Sequence, residues 1–195
     1  MHTPWSTALL APVAALLTAC AGTPGPTLPT VPPALQAPAG NSLYLEVLAS
    51  GVQIYECSRK TDSTYEWAFK APEATLTDRS GRVLGKHYAG PTWEAGDGSA
   101  AVGEVKGRDP GPNPTAIPWL LLAAKSNSGS GTFADARFVQ RVATVGGVAP
   151  AGGCAESTLR SQARVPYSAT YLFYRAQVSE GYAAPAGGSA PRSRY

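Results

Sequence analysis

Histidine and cysteine are scarce in this sequence, and their scarcity limits the metal chemistry open to it. The 195 residues include 2 histidines and 3 cysteines, and one histidine, His2, precedes the first apolar run. Zinc, iron and copper sites draw on three or four imidazole or thiolate ligands. The loops also lack the repeated Asp and Asn spacing of a calcium-binding EF-hand. We therefore expect no metal and no cofactor.

Charge is sparse as well, since only 15% of the residues are Asp, Glu, Lys or Arg. The formal net charge is +3, from 16 basic and 13 acidic residues. Two of the basic residues, Arg192 and Arg194, lie close to the C-terminus; without them, 14 basic residues face 13 acidic ones. Proteins that bind nucleic acids instead carry a concentrated basic patch or stripe. We therefore expect no nucleic-acid partner.

The N-terminal apolar run Ala8–Leu17 is too short to cross a bilayer but suits the h-region of a signal peptide. It ends in Leu17-Thr18-Ala19-Cys20, which resembles a bacterial lipobox, where the cysteine becomes the first mature residue and its thiol is acylated. We predict a signal peptide at residues 1–19 and lipidation at Cys20. Because Met1–Ser6 carries no Lys or Arg, an ordinary cleaved signal and an apolar N-terminal helix remain alternatives.

The residues after Cys20 predict where the protein resides. Ala21 rather than Asp follows the cysteine, which resembles the outer-membrane sorting pattern of Gram-negative cells. We therefore expect an exported lipoprotein of the cell envelope, in the outer membrane facing the periplasm or the surface, that contacts the membrane only through its lipid anchor. Residues 20–41 are rich in proline and free of charge, which predicts an extended tether.

Export also bears on the two remaining cysteines, Cys57 and Cys154. In an oxidising compartment an isolated pair of cysteines is more often bridged than free. We therefore predict a disulfide between Cys57 and Cys154.

The rest of the chain has the pattern of an all-β domain. The sequence contains 21 glycines and 18 prolines, 39 residues in all. From Leu43 onward, apolar residues alternate with polar ones between turn signals. The apolar run Ile117–Ala124 is short and contains Pro118, which favours a strand over a helix. We predict one antiparallel barrel or sandwich of about eight to ten strands at residues 42–178, with little helix apart from the signal peptide and a flexible tail at residues 179–195.

Polar side chains concentrate in Gly85–Ser99. If Gly90-Pro91 is a two-residue turn, His87 and Glu94 face each other across a hairpin, and the carboxylate would raise the pKa of the imidazole and prepare it as a general base. The alternative interpretation is a purely structural pair, with a core Trp93 and a turn at Asp97-Gly98-Ser99. The candidate catalytic residues are His87, Glu94 and Asp97, and the candidate ligand-binding residues are His87, Tyr88, Trp93, Glu94 and Ser99.

Several segments together carry a resemblance to a known family. They include Gln53-Ile54-Tyr55-x-Cys57, Gly90-Pro91-Thr92-Trp93-Glu94, Ile117-Pro118-Trp119-Leu120-Leu121 and Val165-Pro166-Tyr167-x-Ala169. Over about residues 35–176 the chain resembles domain of unknown function 3455 (DUF3455), found in exported bacterial and fungal proteins. The resemblance brings no established activity. Both Cys57 and Cys154 fall in its motifs, which supports the predicted disulfide.

Some fungal relatives carry a malate dehydrogenase label, so a dinucleotide fingerprint was sought. Gly129-Ser130-Gly131-Thr132-Phe133-Ala134 fits the Gly-x-Gly-x-x-Gly/Ala pattern, but a loop precedes it and no acidic residue follows about twenty positions later. We interpret it as the loop of a hairpin.

The leading functional hypothesis is a non-catalytic envelope domain that binds a small molecule, a glycan or a partner protein. The alternatives are a secreted hydrolase or isomerase that uses His87 as a general base, and a purely structural surface lipoprotein.

Overall fold

A computed structural model of the protein describes residues 28–178. The predicted signal peptide 1–19, the predicted lipidation site Cys20 and the predicted tail 179–195 lie outside these residues. The described part contains two short 3-10 helices, Pro33–Leu35 and Glu156–Thr158, and eight strands. The strands are β1 (Asn41–Arg59), β2 (Tyr65–Thr77), β3 (Val83–Tyr88), β4 (Thr92–Ala95), β5 (Ala100–Asp109), β6 (Trp119–Ser128), β7 (Phe138–Gly146) and β8 (Gln162–Ala176).

Each strand pairs antiparallel with its neighbour in sequence, and β8 returns to pair with β1, so the sheet closes into a barrel. This confirms the predicted all-β class and the predicted number of strands, and of the two predicted architectures it is the barrel. The strand predicted at Ile117–Ala124 is also confirmed, as β6. None of the helices in residues 28–178 is long and apolar enough to span a bilayer.

Side chains of alternating residues point into and out of the barrel, as the period of a strand requires. On β6, Leu120 and Leu122 belong to the interior core, whereas Trp119 and Leu121 belong to a second core on the outer face. On β8 the interior residues include Tyr171 and Phe173. One end of the barrel interior is filled by packed aromatic rings, among them the Phe133 and Phe173 pair with centroids 4.7 Å apart.

The outer core is covered by the segment that precedes β1. Leu35 is fully buried against the outward residues of β6, β7 and β8, and Gln140 Nε2 donates a 2.6 Å hydrogen bond to the Leu35 carbonyl. The composition predicts an extended tether at residues 20–41, and of these the structure describes residues 28–41. The prolines set the short helical turn Pro33–Leu35, and a single leucine then supplies enough apolar surface to dock the segment on the barrel.

The predicted disulfide between Cys57 and Cys154 is confirmed, with the two Cα atoms 5.2 Å apart. The bond fastens the long connection between β7 and β8 to the end of β1. Trp67 holds the same connection, because its Nε1 donates a 2.8 Å hydrogen bond to the Gly152 carbonyl.

Candidate functional site

The wall of the barrel has a gap where two long strands flank a short hairpin. Strand β2 pairs with β3 only from residue 74 onward, and β4 pairs with β5 only over residues 100–102. The edges at residues 65–73 of β2 and 104–109 of β5 therefore have no strand partner across the gap. The turn between β3 and β4, residues 89–91, closes its third side. We call this opening the wall gap.

A cavity of about 490 Å³ lies behind the wall gap. The exposed residues of its lining all belong to the edges of the gap, which identifies the gap as its opening; they are Phe69, Lys70, Gly90, Val105 and Arg108. The buried residues of its lining come from six strands around the barrel, among them Gln53, Tyr55, His87, Trp93, Leu122 and Tyr171. The volume lies in the range typical of small-molecule sites.

The wall opposite the opening carries a cation. In a ring of eight strands, β7 and β8 lie opposite β3 and β4, and they contribute Arg141 and Tyr171 to the lining. Arg141 Nε and Nη2 both donate to the Pro118 carbonyl, at 3.0 and 2.8 Å. Within residues 28–178 no carboxylate lies at salt-bridge distance from this guanidinium.

Several buried polar atoms of the cavity region have no hydrogen-bond partner among the described residues. They are Gln53 Nε2, Trp93 Nε1, Tyr167 Oη and Tyr171 Oη. Burial raises the pKa of both tyrosine hydroxyls, so they stay protonated and can donate. An unpaired buried polar group typically costs about 1 to 3 kcal/mol, and folded proteins rarely leave such groups together unless a ligand or water satisfies them.

His87 points into the barrel and is 3% exposed. Its ring stacks on Trp93 with centroids 4.8 Å apart, and its Nδ1 lies 2.8 Å from the Thr92 carbonyl oxygen. Because a carbonyl only accepts, Nδ1 carries the proton and Nε2 is left as an acceptor. Burial lowers the pKa of His87 to about 3. A general base acts best when its pKa is near the ambient pH, so this geometry gives no support to His87 as a base.

The predicted pairing of His87 with Glu94 is wrong. His87 lies opposite Trp93, and Glu94 lies opposite Lys86, because the turn contains three residues, Ala89-Gly90-Pro91, instead of two. Glu94 therefore lies on the outer face, where its two oxygens accept from Tyr88 Oη at 2.6 Å and pair with Lys86 Nζ at 3.1 Å. These contacts, that of Tyr88 first, lower the pKa of Glu94.

Asp97 and Ser99 form a turn that holds two loops together. Asp97 Oδ1 accepts from the Ser99 hydroxyl at 2.6 Å, and Asp97 Oδ2 accepts from the Thr132 amide at 2.8 Å. Hydrogen bonds from Ser99 and Thr132 keep the pKa of Asp97 well below its usual range. The segment Gly129–Ala134 lies between the end of β6 and the start of β7 and is therefore a loop, as predicted. Asp97 anchors this loop through Thr132, and Ser99 Oγ anchors it by accepting from the Phe133 amide.

Of the predicted ligand-binding residues, the structure therefore places His87 and Trp93 in the cavity lining and the others elsewhere. Sequence reasoning missed Gln53, Tyr55, Arg141 and Tyr171. A signal for Arg141 was present: in the strand Val139-Gln140-Arg141-Val142, alternation puts it on the same face as the fully buried Val139.

The fold and the cavity together define residues 28–178 as a closed antiparallel β-barrel with an internal cavity that opens through its wall. Residues 38–175 match the family described as protein of unknown function (DUF3455). The chain belongs to this family. No curated protein and no solved structure matches the chain.

Proposed function

We propose that this protein is an exported binding protein, anchored in the outer membrane through Cys20, that holds a small molecule inside its barrel. The lipobox-like segment and the disulfide support export. The cavity behind the wall gap carries the proposal for binding. Barrels of eight strands are just wide enough to be filled by side chains or to hold one small ligand, and here one half is filled while the other half encloses about 490 Å³.

The character of the lining supports a small molecule over a glycan or a protein partner. The buried wall combines aromatic and aliphatic surfaces with a few polar atoms, as ligand pockets do; it includes Trp93, Leu122, Tyr171, Gln53 and His87. The opening is bounded on three sides by β2, β5 and the turn between β3 and β4. A folded partner protein could therefore not reach the buried lining of the cavity. No observation favours the hydrolase or isomerase alternative.

Binding is tested by blocking the opening. Val105 lines the cavity at the wall gap and is 45% exposed, so Val105→Trp should narrow the opening without disturbing the core. We expect the neutral fluorescent probe 1-aminoanthracene to bind the wild type with one site per chain. We expect Val105→Trp to weaken that binding by at least about tenfold, which is about 1.4 kcal/mol, as measured by fluorescence titration.

The matched control is Val145→Trp, since Val145 is a strand valine that is 58% exposed and does not line the cavity. It should bind the probe as the wild type does. Equal probe binding by all three proteins would place the probe outside the barrel, and failure of the wild type to bind it would refute the proposal. Anchoring is tested separately by mass spectrometry, which should find an acylated Cys20 as the first mature residue.

A further inference from the structure

The charge inside the cavity indicates which class of ligand it takes. The lining contains three cationic side chains, Lys70, Arg108 and Arg141, and neither Asp nor Glu. The guanidinium of Arg141 is partly buried, and withdrawing such a charge from water is costly unless it is balanced and its N–H groups are bonded. Within the described residues no carboxylate lies at salt-bridge distance from Arg141. Glu94 is engaged on the outer face of the barrel, and Asp97 is engaged in a turn.

The unused hydrogen-bond donors of Arg141 have a defined direction. Arginine has five N–H donors in a fixed planar arrangement, and the Pro118 carbonyl takes one from Nε and one from Nη2. The remaining N–H groups lie along the Nη1 and Nη2 end of the fork, and the nearby Tyr171 hydroxyl can accept from one of them. That end presents two parallel donors, the geometry that a carboxylate accepts in a bidentate pair.

Two further donors without acceptors line the same cavity. Gln53 Nε2 and Tyr171 Oη are unpaired, in residues that are 2% and 1% exposed. Arg141 and Tyr171 line the same cavity, and while burial raises the pKa of the Tyr171 hydroxyl, the Arg141 guanidinium acts to lower it. A guanidinium, an amide N–H and a tyrosine hydroxyl therefore line the same cavity, and one oxyanion can accept hydrogen bonds from all three.

We propose that the cavity binds a small organic acid whose carboxylate is held by Arg141, Gln53 and Tyr171. The apolar body of this acid then extends toward the opening, along Trp93 and Phe69. One partly buried guanidinium on the inner wall matches one negative charge, which favours a carboxylate over a phosphate dianion. Arg108 at the opening attracts anions to it, whereas the nearby Lys70 is paired with Glu56 at 3.6 Å. This assignment rests on the proposed binding function and names its ligand class.

The test compares an acid with its neutral isostere. In the wild type, 2-naphthoate should displace 1-aminoanthracene at a concentration at least about tenfold lower than 2-naphthamide. Inorganic phosphate should displace the probe poorly. Equal potency of the acid and the amide would overturn the carboxylate assignment and leave the binding function standing, whereas absence of probe binding would overturn both. Displacement by phosphate as strong as by 2-naphthoate would assign the site to phosphorylated ligands instead.

The variant Arg141→Gln should abolish the preference for the acid, so that 2-naphthoate and 2-naphthamide displace 1-aminoanthracene at equal concentrations. Arg137→Gln is the matched control, because Arg137 is an exposed arginine directly before β7 and outside the cavity lining. It should retain the full preference. If Arg141→Gln keeps the preference, the assignment is wrong. Should Arg141→Gln fail to fold, the carboxylate assignment is tested by the preference for acid over amide, measured in Arg141→Lys and in the wild type.

Discussion

Replacement of Cys57 and Cys154 together by alanine should lower the free energy of unfolding by about 4 to 5 kcal/mol. The bond joins residues 97 positions apart, and a cross-link that closes so long a loop removes much conformational entropy from the unfolded chain. The loss is large beside the total stability of a typical domain, about 5 to 15 kcal/mol. The double variant should therefore be close to unfolding at physiological temperature.

Urea unfolding followed by tryptophan fluorescence measures this loss. The wild type treated with reductant should approach the stability of the double variant, and reductant should leave the double variant unchanged. A double variant as stable as the oxidised wild type would show that the bond contributes nothing to the barrel. Removing both sulfurs is the cleaner change, because a single substitution leaves the other cysteine as a free thiol.

Leu35→Ala should destabilise the protein by about 2 to 5 kcal/mol, the usual cost of deleting a buried leucine side chain. Leu35 has no exposed surface and packs in the outer core. The truncation leaves a cavity under the N-terminal segment and loosens the hydrogen bond from Gln140 to the Leu35 carbonyl. The segment Pro33–Leu35 would then detach and expose the apolar outer face of β6.

The matched control for this prediction is Leu28→Ala, in the same segment. Leu28 is 37% exposed, and substitutions at such positions usually change stability by less than about 0.5 kcal/mol. Urea midpoints of the two variants should therefore separate clearly. If Leu35→Ala unfolds at the same urea concentration as Leu28→Ala, the segment before β1 is not part of the stable fold.

The strands and the disulfide could be predicted because both depend on local signals. Alternation with period two and turn residues locate strands one at a time, and the number of cysteines left after Cys20 determines the pairing. The docking of Leu35 could not be predicted in this way. A proline-rich segment without charge has the same sequence pattern whether it is undocked or packs on the barrel. The apolar face on which it packs is formed only when the barrel closes.

The error at His87 has a specific cause. The turn between β3 and β4 holds three residues, with Gly90 at a φ of 105°, whereas the prediction assumed two. A shift of one residue moves side chains to the opposite face, and Trp93 rather than Glu94 became the neighbour of His87. The pattern could have resolved the register, because Trp93 and Ala95 are both apolar and both buried, which requires Glu94 between them to face outward.

The cavity itself lies beyond sequence reasoning. The three residues proposed to hold the carboxylate, Gln53, Arg141 and Tyr171, come from β1, β7 and β8 and are far apart along the chain. The wall gap exists because β2 and β5 extend beyond the short β3–β4 hairpin that lies between them. Strand lengths alone do not show where a closed sheet has such an opening. Only the register of all eight pairs brings these features together.

Binding of a small acid inside the barrel is tested most directly by a crystal structure of the protein soaked with 4-iodobenzoate. The anomalous signal of iodine should lie within the cavity between the wall gap and the opposite wall, with the carboxylate on the guanidinium of Arg141. An empty barrel interior, or iodine on the outer surface alone, would contradict the account.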